Sequence, residues 1–181
     1  MTFAAFNLLF PIVVAVHNID EFRGYTDFVR SYPSWLAEKL TRRVLGWAAI
    51  LLTLAVTALA VATYFYQNDA LLTVSKIAII GLALNCLGHC FLSLKRRALV
   101  PGTLSGAVLV LPYSVIAVFV MRTDSRDSFM GLFGYAAIGA IATPVAIGAF
   151  LWMGYLLAGP REVKSERPAL SKHQARRRGE K

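Results

Sequence analysis

The sequence predicts an all-α, polytopic integral membrane bundle of five transmembrane helices. Three observations lead there. Hydrophobic residues fill 57% of the 181 positions and charged residues only 16%, against roughly 45–50% and about 25% in a soluble domain. Four apolar stretches, 44–66, 71–94, 103–121 and 129–158, have the length a membrane helix needs, about 20 residues. The basic residues fall in alternate connecting segments. This composition excludes a disordered chain, a disulfide scaffold and an ordinary cytosolic domain.

A fifth apolar stretch, 3–16, comes first in the chain. At 1.5 Å per residue it covers about 21 Å, short of the ~30 Å hydrocarbon core. It spans only if the helix continues through His17, Asn18, Asp20 and Glu21. No Lys or Arg precedes it and no small-x-small site follows, so it reads as a retained helix rather than a cleaved leader. Pro11 is a natural kink within it.

The segment 32–43 reads as an interfacial amphipathic helix after the first span. Pro33 suits a first helical turn, and Trp35, Leu36 and Leu40 share a face. Lys39, Arg42 and Arg43 lie beside that face for lipid headgroups. A plain loop is the alternative.

In the third span, Lys76 is expected to snorkel outward. Pro101-Gly102 starts the fourth helix, Pro112 kinks it, and Tyr113 is expected to reach a polar partner. The fifth span carries Gly131, Gly134, Gly139, Gly148 and Gly154, which suit close helix packing. A hinge at Pro144 is the alternative. Trp47, Tyr64, Tyr66, Trp152 and Tyr155 fall near span ends, as interfacial anchors do. Two domains follow: a helical bundle over 1–158 and a basic, disordered cytoplasmic tail over 159–181.

The segments 22–43, 95–97 and the tail hold 16 of the 19 Lys and Arg residues. The positive-inside rule then places the N-terminus outside and the C-terminus inside. The expected location is a bacterial cytoplasmic membrane. The expected partners are the lipid bilayer and its anionic headgroups, met by the basic loops and tail. The net charge of +9 does not point to nucleic acid, because no basic folded domain carries it and no aromatic residue is interleaved with the tail's charges.

Ionisable residues inside a membrane are costly and mark function by default. The richest set is His17-Asn18-Ile19-Asp20-Glu21. On a helix, His17 meets Asp20 at i,i+3 and Glu21 at i,i+4, so one face presents an imidazole and two carboxylates. The third span offers Asn85 and His89, again at i,i+4. His17 lies six residues from Arg23, and His89 six residues from Lys95. Both helices run outside to inside, so each imidazole sits about 9 Å from the inner boundary.

The expected metal ligands are His17, Glu21 and His89, around zinc or iron with an open coordination position. Glu21, Asp20 and Asn85 are the catalytic candidates, the carboxylates as acid or base and Asn85 as a donor to a developing oxyanion. A metal-free reading makes Glu21 and His17 an acid–base pair. A structural reading makes the cluster a polar clasp between helices. Cys86 and Cys90, at i,i+4 on the third span, read as small buried apolar residues, with soft-metal ligation as the alternative.

These two motifs resemble those of a family of membrane proteins named for an HXXEE motif, which also carry an NXXXH motif. His17-Asn18-Ile19-Asp20-Glu21 matches the first, with Asp20 where the family has Glu, and Asn85-Cys86-Leu87-Gly88-His89 matches the second. Residues 97–103 look like the family's Pro-Gly entry to the next span, and the likeness covers about 8–112. It implies a compact helical membrane protein whose polar residues form a site, and it supplies no substrate. Asp20 shortens one carboxylate arm, which favours Glu21 for any role needing reach.

The leading functional expectation is a small membrane enzyme, a metal-assisted hydrolase or another membrane enzyme acting on a lipid-like or membrane-embedded substrate near the cytoplasmic leaflet. The alternatives are a transporter or ligand-binding protein that takes a proton or cation, and an accessory protein held by the clasp. No phosphate loop, HExxH zinc motif, nucleophile elbow or dinucleotide fingerprint is present.

Overall fold

The computed structural model describes residues 2–29, 39–124 and 127–159, and among them every regular element is helical. Five helical rods are long and apolar enough to cross a bilayer: Phe3–Arg23, Arg42–Tyr66, Asp69–Arg96, Thr103–Thr123 and Phe129–Ala158. Large apolar side chains such as Phe91, Val108, Phe119, Phe133 and Ile141 point outward. A water-soluble surface does not carry that much contiguous apolar area.

The first rod comprises α1 (Phe3–Asn7) and α2 (Phe10–Arg23). The helix does continue through His17 and Glu21, which gives it about 31 Å of length. Its interruption at Leu8–Leu9 lies just before Pro11. Proline has no N–H to offer the Asn7 carbonyl four residues back, and its ring crowds the preceding turn. A five-residue helix, α3 (Tyr25–Val29), follows.

The second rod, α4 (Arg42–Tyr66), starts where Thr41 Oγ1 accepts the Val44 N–H at 3.2 Å. Residues 39–41 are not helical and Leu40 is buried, so Arg42 and Arg43 open α4 rather than end an interfacial helix. Arg42 lies over the Phe22 ring. The rest of the expected interfacial helix, 30–38, falls outside the described residues, as does the tail beyond 159.

The third rod, α5 (Asp69–Arg96), is capped by Asn68, whose Oδ1 accepts the Leu71 N–H at 2.9 Å. Asp69 in its first turn and Lys95 and Arg96 in its last complement the helix dipole. The fourth rod begins as α6 (Thr103–Ser105), widens into a π-helical stretch (Gly106–Val110) and continues as α7 (Leu111–Thr123). The wide turns precede Pro112, where an ordinary helical hydrogen bond is unavailable. The fifth rod, α8 (Phe129–Ala158), is capped by Ser128 and runs as one helix through Pro144.

Two glycines of α8 bring helices together. A side chain on Gly139 would lie 2.9 Å from Gly81 Cα on α5, and one on Gly154 would meet the Val44 carbonyl of α4. Gly134 and Gly148 face open space, so the packing role expected of the whole glycine set belongs to two of its members.

Two other expectations are corrected. Lys76 does not reach outward; it is buried, with Nζ 2.7 Å from Asp127 Oδ2 and the Phe3 and Tyr135 rings nearby. A local partner removes the reason to snorkel. The Tyr113 hydroxyl finds no polar partner among the described residues. Its ring stacks on Phe6 and Phe10 at 4.8 and 5.9 Å, and this packing fixes its direction.

Gly139→Val should push α8 off α5. We expect a loss of about 1–3 kcal/mol in unfolding free energy in detergent, the range for overpacking, while Gly148→Val should change it little.

Candidate functional site

His17 and Glu21 stand one turn apart on α2, and Asn85 and His89 one turn apart on α5. The equal distance of each imidazole from its basic helix end brings the two to one height, with ring centroids 5.8 Å apart. Glu21 lies between them. Its Oε1 is 3.0 Å from His89 Nε2 and 3.4 Å from His17 Nε2. One ligand atom from each of these three residues lies within 4.8 Å of the others. Asn85 Nδ2 stands 3.2 Å from His89 Nε2.

Asp20 is not part of this group. Its Oδ2 accepts the Ser105 backbone N–H at 3.0 Å and the Ser105 hydroxyl at 2.7 Å. Ser105 Oγ also lies 3.0 Å from His17 Nδ1. The hydroxyl has one proton, and the carboxylate 2.7 Å away takes it in preference to the Gly102 carbonyl at 3.4 Å. Ser105 Oγ must therefore accept from His17, whose Nδ1 carries a proton. In the neutral imidazole the lone pair is then on Nε2, directed at Glu21. Its other neighbour is the Cys86 thiol, a weak donor at 3.8 Å. A lone pair facing a carboxylate oxygen at 3.4 Å needs a proton or a cation between them.

Gly102 closes the site from the other side. Its φ of +83° lies in the left-handed region, where a Cβ is costly. A Cβ there would also stand 3.0 Å from both His17 Cε1 and Glu21 Cγ. The same loop is tied to α5 through Ser93, whose Oγ accepts the Val100 N–H and bonds Thr103 Oγ1 at 2.7 Å. Pro101-Gly102 thus starts the fourth rod as expected and also walls the imidazole–carboxylate group.

Of the residues singled out in the sequence, His17, Glu21, His89 and Asn85 come together, and Asp20 reaches His17 only through Ser105. Cys86 is buried beside His17, and its Cβ packs against Gly106. Ser105 and Ser93 were not singled out in the sequence, and Gly102 was marked there as a helix start rather than as a wall of the site. The one available hint for Ser105 was a hydroxyl three residues into an apolar helix start.

A cavity of about 320 Å³ adjoins the group. Its walls come from α2, α4, α5 and α8; His17, Asn18, Glu21, Asn85 and His89 are polar residues of its lining toward one end, and Thr143 is a further one on α8. Volumes of about 300 Å³ and above are typical of small-molecule sites.

Ser105→Ala removes the acceptor for His17 Nδ1 and one donor to Asp20. It should cost about 1–3 kcal/mol of stability. By ¹⁵N NMR of labelled histidine, His17 should change from a single Nδ1–H tautomer to a mixture. Gly102→Ala should lower stability by about 1–2 kcal/mol through its backbone alone, measured by denaturant unfolding in detergent.

No curated protein and no solved structure matches the chain. Residues 8–117, more than half of it, match the family described as protein of unknown function with HXXEE motif. That match spans the His17–Glu21 and Asn85–His89 motifs and the loop that walls them, and the chain belongs to this HXXEE family.

Proposed function

We propose that the protein is a membrane-embedded, divalent-metal-dependent enzyme, with His17, Glu21 and His89 as ligands and a hydrolytic reaction as its chemistry. One observation carries this reading: both Nε2 atoms converge on one carboxylate oxygen while the Ser105–Asp20 chain holds the proton on His17 Nδ1. A metal-ligating histidine characteristically donates its other ring N–H to a partner that fixes its tautomer. Two imidazoles and one carboxylate also match three-ligand catalytic zinc sites, which keep a fourth position open. Here the cavity supplies the space for that position.

An ion held by His17, Glu21 and His89 would supply a Lewis acid and would lower the pKa of a water to about 7. Asn85, beside His89, is placed to donate to the oxyanion that develops on a polarised carbonyl. In the hydrolysis, the water oxygen bonds to the acyl carbon and the bond to the leaving group breaks. One water proton ends on the leaving group. Asp20 acts as a positioning residue through Ser105 and His17.

The bundle is read as crossing a cytoplasmic membrane with its N-terminus outside. The support is the charge pattern: Arg23, Arg42, Arg43 and Lys95–Arg97 gather at the end of the bundle that carries the site. Anionic headgroups at that face would meet these residues.

A second reading, the polar clasp, is favoured by the 3.0 Å His89–Glu21 contact, which joins two helices without any ion. Metal content separates the two. Full-length protein purified without chelators should carry about one zinc or iron per chain. Glu21→Gln and His89→Ala should abolish this, and Asp20→Asn should weaken affinity about 10–100-fold, as loss of an outer hydrogen-bond partner does. Protein with no ion, and unchanged stability when all three residues are replaced by packed apolar ones, would establish the clasp instead.

A further inference from the structure

The cavity beside the imidazole–carboxylate group extends along the helices, and away from that group its lining is apolar except for Thr143. Its lining runs from Phe10 to Phe22 along α2, from Leu45 to Val56 along α4 and from Val74 to His89 along α5. These are eleven to fifteen residue steps, about 16–22 Å at 1.5 Å per residue. Half of a ~30 Å hydrocarbon core, the depth one lipid chain occupies, is about 15 Å. Its walls include the small residues Ala49, Ala78, Ala142 and Ala146 among larger apolar ones. Small residues at Gly81, Gly139 and Gly154 pull helices into contact, whereas these alanines leave space between them. An unfilled apolar space forfeits the dispersion contacts of its lining. In a bilayer the abundant filler of that shape is a hydrocarbon chain.

We infer that this cavity binds one unbranched acyl chain, with the chain's terminal carbonyl at the His17–Glu21–His89 end. This deepens the proposed function by naming its substrate class, and the carbonyl end rests on that reading. The polarity of the lining sets the direction of entry. Reversing the chain would bury a polar head among Phe10, Val56 and Val74, since Thr143, the one polar side chain of the lining beyond the His–Glu end, stands beside Gly81, seven residues from Val74. Asn18 does not compete for the head, because its Nδ2 already donates to the Ala49 carbonyl and Thr53 Oγ1. The carbonyl can belong to a membrane lipid ester, the substrate of the hydrolysis, or to the free fatty acid that is its product; the two share the chemistry recognised here.

The test uses the full-length, zinc-loaded protein with two photoactivatable probes. One is palmitic acid bearing a mid-chain diazirine, and the other is 1-palmitoyl-lysophosphatidylcholine with the same group in its chain. After irradiation, labelled positions are mapped by peptide mass spectrometry. The expected result is labelling concentrated on Leu52, Ile77 and Ala146, with the probe that labels more strongly identifying the source. Ala146→Trp and, separately, Ala78→Phe should reduce it about tenfold, which corresponds to ~1.4 kcal/mol of binding, and leave zinc content unchanged.

Labels spread evenly over outward residues such as Phe119 and Phe133 would overturn the inference. Cavity-filling variants that keep both zinc and full labelling would do the same. Mapping on the unaltered protein does not depend on any variant folding. Metal content tests the ion and label position tests the chain. Lining labels that persist after Glu21→Gln removes zinc therefore uphold the chain site by itself.

Discussion

Glu21 Oε1 meets two imidazole nitrogens from two helices, at 3.0 and 3.4 Å, and one end of the bundle is arranged around that meeting. An isolated carboxylate or imidazole inside hydrocarbon is expensive, and the expense falls only if the groups find one another. His17 is 2% exposed, so its partners must come from the protein. They come from three directions: Glu21 on its own helix, His89 from α5, and Ser105 from the first turn of the fourth rod. The left-handed Gly102 and the close approach of Gly106 to Cys86 let that turn come near enough.

The other end of the bundle is held differently. Thr63, Ser75 and Asn7 form a buried chain of hydrogen bonds between α4, α5 and α1. Lys76, Asp127 and Tyr135 tie α5 to the start of α8, and Asp124 accepts the Phe3 N–H at 2.8 Å. Polar links of this kind hold helices together in lipid, where apolar side chains gain little by leaving the bilayer. With this end fastened, and with α8 pressed on α5 at Gly139 and on α4 at Gly154, the helices can stand apart beside the His–Glu group. The cavity follows from where the helices are joined.

The sequence made the rods and the height of the histidines readable, because both depend on local quantities. Apolar run length sets the spans, and six residues from His17 to Arg23 and from His89 to Lys95 set a common depth. The facing of the two helices was not local. It depends on Asn18 bonding Ala49 and Thr53, and on Ser105 reaching across 85 residues to Asp20. A serine in an apolar helix and a glycine before it have ordinary structural explanations, so neither pointed to the site. Lys76 and Tyr113 misled for the same reason. Snorkelling and hydroxyl pairing are defaults for side chains without specified neighbours, and here Asp127 and two phenylalanines specify them.

The central claim is that the two imidazoles and one carboxylate hold an ion while the cavity side stays open. Zinc K-edge X-ray absorption on the purified protein tests it most directly. The account predicts two imidazole nitrogens and a carboxylate oxygen at about 2.0–2.1 Å, with a light, exchangeable fourth ligand. A sulfur at about 2.3 Å would contradict it. It would mean that Cys86, 3.8 Å from His17 Nε2, closes the coordination sphere and that the site is structural.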